Sequence, residues 1–214
     1  MGESTSASFG WTWTICKQCG MKTITGKFCM RCGAVLDQTQ KAEPIQYVYT
    51  FDVIVLGEDG VGKTSLINRW AKTPQPNLSQ ATVEAVKKAV FEGIEVSLRM
   101  REMEQNIAKV AGKIDAAVVV FELTRRTTFV RTMRYVRFLR ETEPMPLVYL
   151  VGNKCDLDGR QVSFDEAART ARDLGAQYFE TSAKSGYNVD LVLKRLFKDL
   201  LTRRLNELKR MLQQ

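Results

Sequence analysis

The chain has 214 residues, and 44% of them are hydrophobic, which is enough for one domain of ordinary size with a buried core and a small appendage. It has no run of about 18 apolar residues, and its first ten residues lack the basic start and apolar stretch of a secretory signal. We therefore expect a cytoplasmic protein without a transmembrane segment. There is no histidine, which excludes imidazole catalysis and metal sites of the Cys–His type.

The formal net charge is +8, and Lys and Arg are in local excess in residues 125–140 and 194–210. Two interpretations stay open: solvated helix faces, or contact with anionic lipid or an acidic partner. Few aromatic residues alternate with the basic ones, so we do not expect the protein to bind nucleic acid.

The N-terminal part of the chain contains four of the five cysteines. Residues 1–10 are rich in Ser, Thr and Gly, and we expect them to be disordered. Residues 11–36 contain two Cys-x2-Cys pairs, each followed by glycine, and the predicted metal ligands are Cys16, Cys19, Cys29 and Cys32. Two such knuckles can hold Zn²⁺ in a closed structural site, and the pattern resembles a zinc ribbon. An iron–sulfur cluster and four unrelated free cysteines are the alternatives.

Strands and helices alternate in the rest of the chain, after a polar segment at residues 37–45 that is typical of a linker. Apolar runs predict buried strands at residues 47–57, 116–123, 146–152 and 176–183, with a hairpin around Glu92-Gly93. Helices are predicted at residues 62–72, 127–141 and 163–174 and from Val189 to about Leu212. Ser163 and Glu166 form a predicted capping box at the third helix. This order predicts an α/β fold, a mostly parallel sheet with helices on both faces.

A phosphate-binding motif follows the first long strand and begins a helix. GEDGVGKTS fits Gly-x4-Gly-Lys-Thr from Gly57 to Thr64, the pattern of P-loop nucleoside triphosphatases. Its glycines let backbone N–H groups converge on phosphate oxygens at a helix N-terminus. Lys63 would reach the outer phosphates, and the Thr64 hydroxyl would bind Mg²⁺. The predicted phosphate-binding residues are Asp59, Gly60, Val61, Gly62, Lys63, Thr64 and Ser65.

Two further motifs indicate which base is bound. Asn153-Lys154-x-Asp156 follows a buried strand, and a carboxylate there can accept hydrogen bonds from the guanine N1–H and the exocyclic amine, a pair that adenine cannot offer. After the last strand, Ser182-Ala183-Lys184 resembles a loop that supports the guanine O6 through a backbone N–H. Together the three motifs predict a guanine nucleotide as the ligand.

From about Tyr47 to about Arg203, the chain resembles a small GTPase of the Ras superfamily, with the Ras and Rab branches closest. The resemblance implies a domain at residues 46–203 that acts as a GTP/GDP-binding switch with Mg²⁺ and has regulatory or effector proteins as partners. It also implies that Thr82, in the first switch, binds Mg²⁺ and the γ-phosphate. No Phe, Tyr or Trp occurs between residues 71 and 90, so the aromatic residue that often flanks the guanine is missing.

The second switch departs from the family pattern, Asp-x-x-Gly followed by Gln. Here Glu102 takes the place of the aspartate, Gln105 that of the glycine and Asn106 that of the glutamine that orients the attacking water. Asp59 adds a side chain and a negative charge near the γ-phosphate. Glu102 and Asn106 are the only candidates for a catalytic role, and because phosphoryl transfer depends on positioning, we expect slow hydrolysis. The alternative is a pseudo-GTPase scaffold that acts through protein interaction.

The last predicted helix continues into an extension at residues 204–214. Its leucines, Leu201, Leu205, Leu208 and Leu212, accompany many basic residues. The helix could pack on the domain and the ribbon, or form a reversible contact with a membrane surface or a partner. At the other end of the chain, Gly2 and the residues after it fit a loose myristoylation pattern.

Overall fold

A computed structural model describes residues 13–24, 28–34, 36, 47–71, 84–91, 94–103 and 113–213 of the chain. The chain divides into two compact units, Met1–Tyr47 and Val48–Gln214. Among the helices of the described residues, none combines the length and the apolar character that a membrane crossing needs. The predicted disordered N-terminus at 1–10, the linker at 37–45 and Gly2 lie outside the described residues.

The first unit contains a short hairpin. Strands β1 (Trp13–Ile15) and β2 (Lys22–Ile24) are antiparallel, with Thr14 opposite Thr23. The connection between them contains the first Cys-x2-Cys pair, which therefore forms the turn of the hairpin.

The other six strands in the described part of the chain form one mixed sheet. They are β3 (Tyr47–Gly57), β4 (Glu84–Phe91), β5 (Ile94–Glu102), β6 (Ala116–Glu122), β7 (Leu147–Asn153) and β8 (Gln177–Glu180). Their order across the sheet is β4-β5-β3-β6-β7-β8. The β4–β5 hairpin is antiparallel, while β3–β6, β6–β7 and β7–β8 pair in parallel. The predicted mostly parallel sheet is confirmed.

Four helices of the described residues cover this sheet, namely α1 (Lys63–Ala71), α2 (Arg126–Arg140), α3 (Phe164–Asp173) and α4 (Val189–Met211). The start of α3 shows how the sequence sets a boundary. The Ser163 hydroxyl accepts a hydrogen bond from the Glu166 backbone N–H at 3.2 Å. The Glu166 carboxylate pairs with Arg126 of α2, so only the serine half of the predicted capping box is formed.

The core has two layers, one on each face of the sheet. Along β3, Val53 and Val55 belong to one layer and Ile54 and Leu56 to the other, as the two-residue period of a strand requires. Helices α1 and α4 cover the first layer, and α2 and α3 cover the second. Because the sheet is buried on both faces, the loops at the carboxyl ends of its parallel strands are the natural place for a ligand site.

Helix α4 is continuous across the boundary that the sequence predicts between residues 203 and 204. Leu201 packs against the core of this unit, whereas Leu212, just after the helix, is 87% exposed. Arg195 pairs with Asp199 at 2.9 Å, and Arg203 pairs with Glu207 at 3.2 Å. Part of the basic charge of this helix is therefore neutralised within the helix itself.

Candidate functional site

The phosphate-binding motif forms a tight loop between the end of β3 at Gly57 and the start of α1 at Lys63. Gly62 has a φ of +100°, a left-handed conformation that side chains rarely adopt. A Cβ at Gly62 would lie 2.3 Å from the side-chain nitrogen of Asn153, so the loop can pass this side chain only because position 62 is glycine. Sequence spacing and structure therefore agree on a tight, glycine-containing loop that leads into a helix N-terminus.

Lys63 is the buried cation of this loop. Its side chain is 6% exposed, and its ammonium donates a hydrogen bond to the Glu58 carbonyl at 3.0 Å. Carboxylate oxygens of Glu102 and Asp59 lie 3.5 Å and 3.8 Å from the same nitrogen. The Asp59 side chain is 94% exposed, so its negative charge faces solvent at the mouth of the loop. Ser65 is exposed in the first turn of α1.

Thr64 and Glu102 are in direct contact. The Thr64 hydroxyl donates a hydrogen bond to the Glu102 carboxylate at 2.6 Å. The backbone N–H of Met103, the next residue, bonds to the Val55 carbonyl at 3.0 Å, which extends the pairing of β5 alongside β3 to this point. Because the Thr64 hydroxyl is the donor in this hydrogen bond, its lone pairs remain free for a hard cation such as Mg²⁺. The nearby Glu102 carboxylate could accept hydrogen bonds from water molecules bound to that ion. These residues fit a magnesium site.

Asn153 joins three loops. Its side-chain nitrogen donates to the Val61 carbonyl of the phosphate loop at 2.8 Å. Its side-chain oxygen accepts from the Thr181 hydroxyl at 3.2 Å and from the Ala183 backbone N–H at 3.0 Å. Asn153 is almost fully buried, so these contacts satisfy the amide in place of water. The residues that the sequence assigns to phosphate and to base are thus held together by one side chain.

The side of the site that the sequence assigns to the base contains a carboxylate with a lowered pKa. A hydrogen bond from Ser182, with smaller contributions from the charges of Lys184 and Lys154, holds the pKa of Asp156 below its usual range. Asp156 is exposed at this edge of the sheet, so it is an acceptor that a ligand can reach. Lys154 has a left-handed backbone with a φ of +64°. This conformation turns the chain so that Lys154 and Asp156 follow β7 in a tight loop.

Glu122, which the sequence analysis did not single out, connects the two halves of the site. Its carboxylate accepts a hydrogen bond from Lys154 at 2.8 Å and lies 3.2 Å from the Arg125 guanidinium. Arg125 also donates to the Asp59 carbonyl in the phosphate loop at 2.9 Å. Burial raises the pKa of Glu122, but the hydrogen bonds from Lys154 and Thr124 outweigh it and lower that pKa. The end of β6, followed by two arginines, is the sequence signal that could have pointed to this position.

Arg69 is a second residue that the sequence did not identify. It lies in the last turn of α1, and its guanidinium donates hydrogen bonds to the carbonyls of Ala183 and Lys184. A guanidinium with five donors can hold two adjacent carbonyls at once. Of the other predicted residues, Thr82, Gln105 and Asn106 lie outside the described part of the chain.

A family model for the Ras family matches residues 52–202, which is more than two thirds of the chain. The chain belongs to the Ras family. The Ras-family domain is a nucleotide-binding switch of the small-GTPase type, which implies use of a guanine nucleotide and Mg²⁺ and interaction with regulators and effectors. The match begins at Asp52 in β3 and ends within α4, so it covers all the loops described above.

The first unit contains a compact cluster of four sulfurs. The ligand atoms of Cys16, Cys19, Cys29 and Cys32 all lie within 4.8 Å of one another. The Cys16 and Cys32 sulfurs are 3.6 Å apart, and those of Cys19 and Cys29 are 3.7 Å apart. Tetrahedral zinc with bonds of about 2.3 Å separates its sulfurs by about 3.8 Å. The cluster could therefore hold zinc.

The two Cys-x2-Cys pairs have the same backbone geometry. In the first, the Gly20 N–H bonds to the Cys16 carbonyl at 2.8 Å, and in the second the Gly33 N–H bonds to the Cys29 carbonyl at 2.9 Å. Both glycines are left-handed, with φ of +66° and +70°. The unit is thus built around two equivalent knuckles, as the repeated Cys-x2-Cys-Gly pattern predicts.

The pKa values of two cysteine thiols in the cluster are shifted in opposite directions. The backbone N–H groups of Cys32 and Arg31 lower the pKa of Cys29 to about 6. The Ala34 N–H lowers the pKa of Cys32, but desolvation and the neighbouring sulfurs outweigh it and raise that pKa to about 12. Four sulfurs this close cannot all be negative unless a cation lies among them. A bound metal would therefore lower the raised pKa of Cys32.

The cluster predicts the metal content of the purified protein. We expect about one zinc ion per chain, since four thiolates close a tetrahedral site, and Cys29→Ser should lose it. The matched control is Cys155→Ser, which changes the cysteine outside the cluster and should keep the zinc. Metal would be measured by plasma mass spectrometry. Retention of stoichiometric zinc in the Cys29→Ser protein would contradict the assignment.

The phosphate loop predicts unequal costs for two glycine substitutions. Gly62→Ala and Gly159→Ala both force alanine into a left-handed φ, of +100° and +80°, but only position 62 lacks space for a Cβ. Gly159→Ala should lower the free energy of unfolding by about 1 kcal/mol. Gly62→Ala should cost on the order of 2 kcal/mol more, because it also displaces Asn153. Urea denaturation measures both, and equal losses would show that the close approach of Asn153 is unimportant.

Proposed function

We propose that this Ras-family protein is a GTP/GDP-binding regulatory switch with slow intrinsic hydrolysis, and that its cysteine cluster binds zinc and forms a module for partner recognition. The observation that best supports the nucleotide site is the buried amide of Asn153. It places the phosphate loop, the loop after β7 and the loop after β8 within hydrogen-bonding distance of one side chain.

Different residues of the site bind the phosphates, the Mg²⁺ ion and the base. Backbone N–H groups from Asp59 to Ser65 and the ammonium of Lys63 bind the phosphates. Thr64 binds Mg²⁺ together with Thr82, and Glu102 holds the hydroxyl of Thr64 and the water shell of the ion. The base is bound by Asn153, Lys154, Asp156, Ser182, Ala183 and Lys184. We also propose the division predicted from the sequence, with the zinc module at 11–36 and the switch domain at 46–203.

Guanine selectivity is proposed to come from Asp156. Its lowered pKa keeps it a pure acceptor at neutral pH, and guanine offers two adjacent donors. Asparagine has the same shape but presents a donor in place of one acceptor. Xanthine has a carbonyl where guanine has its exocyclic amine, so an asparagine at 156 suits xanthine instead.

The test of the base assignment is Asp156→Asn. Affinity for GDP should fall on the order of 10- to 100-fold, as expected for a lost bidentate contact, and affinity for xanthosine diphosphate should rise. The matched control is Asp158→Asn, which changes an exposed aspartate of the same loop and should leave both affinities unchanged. Competition against a fluorescent GDP analogue gives the dissociation constants. Unchanged preference for guanine in the Asp156→Asn protein would refute the assignment.

Hydrolysis is proposed to be slow because Gln105 and Asn106 replace a glycine and a glutamine. Glutamine at 105 has a backbone N–H but loses the close approach that glycine allows. Asparagine is one methylene shorter than the glutamine that orients the attacking water. Glu102 does not fill this gap, because its carboxylate is engaged by Thr64 and lies near Lys63. The second candidate function, a pseudo-GTPase scaffold, rests on the same replacements and differs in having no turnover at all.

Single-turnover GTP hydrolysis distinguishes these functions. The unmodified protein should hydrolyse GTP more slowly than roughly 3 × 10⁻⁴ s⁻¹, the scale of a Ras-type enzyme without an activating partner. Replacing Gln105-Asn106 by Gly-Gln should raise the rate, and Lys63→Ala should abolish nucleotide binding. No turnover in either protein would favour the scaffold, whereas a wild-type rate at the ordinary level would contradict the proposed weakness of the second switch.

A further inference from the structure

Arg69 makes a two-point contact with the loop after β8. Its Nε donates to the Ala183 carbonyl, and its Nη2 donates to the Lys184 carbonyl. These are hydrogen bonds from a permanently charged group, which are stronger than neutral ones. Arg69 and the loop are more than a hundred residues apart in sequence, so the contact ties α1 to the far edge of the sheet.

The loop is therefore fixed from two sides. The Ala183 N–H bonds to the Asn153 side chain at 3.0 Å, while the Ala183 carbonyl is held by Arg69. The Ala183 carbonyl and the Lys184 N–H belong to the same planar peptide group and point in opposite directions. A charged donor on that carbonyl orients the peptide and polarises its N–H, which makes the N–H a better donor on the opposite side.

The packing at Gly186 shows that the guanidinium lies directly against the loop. A Cβ at Gly186 would lie 2.8 Å from Nη1 of Arg69, and the φ of Gly186 is +91°. Arg69 itself is exposed and does not belong to either core layer. Removal of the Arg69 side chain would release the loop after β8 without opening a cavity. We therefore infer that Arg69 orients this loop and does not contribute to the core.

We propose that Arg69 is a positioning residue for guanine recognition, which acts by aiming the backbone N–H of Lys184 at the O6 oxygen of the base. The inference rests on the proposed guanine-nucleotide site. It assigns to α1, a helix whose first turn binds phosphate, a second role at the base. Arg69 does not touch the nucleotide; it acts only through the two carbonyls.

The test compares two nucleotides that differ at O6. GDP has this oxygen. The diphosphate of 2-aminopurine riboside lacks it and also lacks the N1–H, but it keeps the exocyclic amine that faces Asp156, so each variant is compared with the unmodified protein separately for each nucleotide. Arg69→Met should weaken GDP binding on the order of 10-fold, the scale of a hydrogen bond to a charged group, while binding of the 2-aminopurine nucleotide stays nearly constant. Arg69→Lys keeps the charge but can reach only one carbonyl, so it should give a smaller loss with the same selectivity.

The matched control is Asn68→Met, which changes the exposed neighbour of Arg69 in α1 and should affect neither nucleotide. Circular dichroism would establish that each variant is folded, and Arg69→Lys replaces Arg69→Met if the latter is not. Equal weakening of both nucleotides would show a general structural role and overturn the inference, as would no weakening of GDP. Both results leave the proposed function intact. Failure of the unmodified protein to bind GDP would overturn the proposed function and the inference together.

Discussion

The candidate nucleotide site depends on the buried amide of Asn153. Its nitrogen holds the phosphate loop through Val61, and its oxygen holds the loop after β8 through Thr181 and Ala183. Only a carboxamide of this length offers both a donor and an acceptor here, since aspartate would lose the donor. A buried amide that loses a partner costs about 1–3 kcal/mol, so the three loops are stabilised as one unit. The parallel sheet makes this possible by bringing the ends of β3, β7 and β8 to one edge.

Further contacts reinforce the same arrangement from the outside. Glu122 links Lys154 to Arg125, and Arg125 reaches the Asp59 carbonyl, while Arg69 holds the loop after β8 from α1. The recognition groups therefore do not need to be ordered by the ligand, and a preorganised site loses less entropy when it binds. The first unit follows a different principle. In its described residues the buried apolar cluster consists of Cys16, Cys29 and Leu36, and we propose that a metal bound by the four sulfurs supplies the free energy that holds the two knuckles together.

The sequence predicts the sheet and the helices well because each of these depends on local pattern. Apolar runs identify β3, β6 and β7, and the spacing of Gly57, Gly62 and Lys63 identifies a loop at a helix N-terminus. The contacts of Arg69 and Glu122 could not be predicted in this way. In each case a long side chain contacts residues that are distant in sequence, and no periodic pattern in the sequence indicates which residues these are. The Glu166 carboxylate illustrates the same limit, because the sequence predicts a local cap and the fold offers it Arg126 instead.

The proposed switch requires the three loops to form a working guanine-nucleotide site. The most direct measurement is the nucleotide content of the freshly purified protein, released by denaturation and separated by ion-pair chromatography. Because the Asn153 side chain holds together the motifs that we propose bind phosphate and guanine, we predict about one guanine nucleotide per chain, as GDP, GTP or a mixture of the two. A protein that is purified without nucleotide and does not take up GDP in the presence of Mg²⁺ would contradict the account.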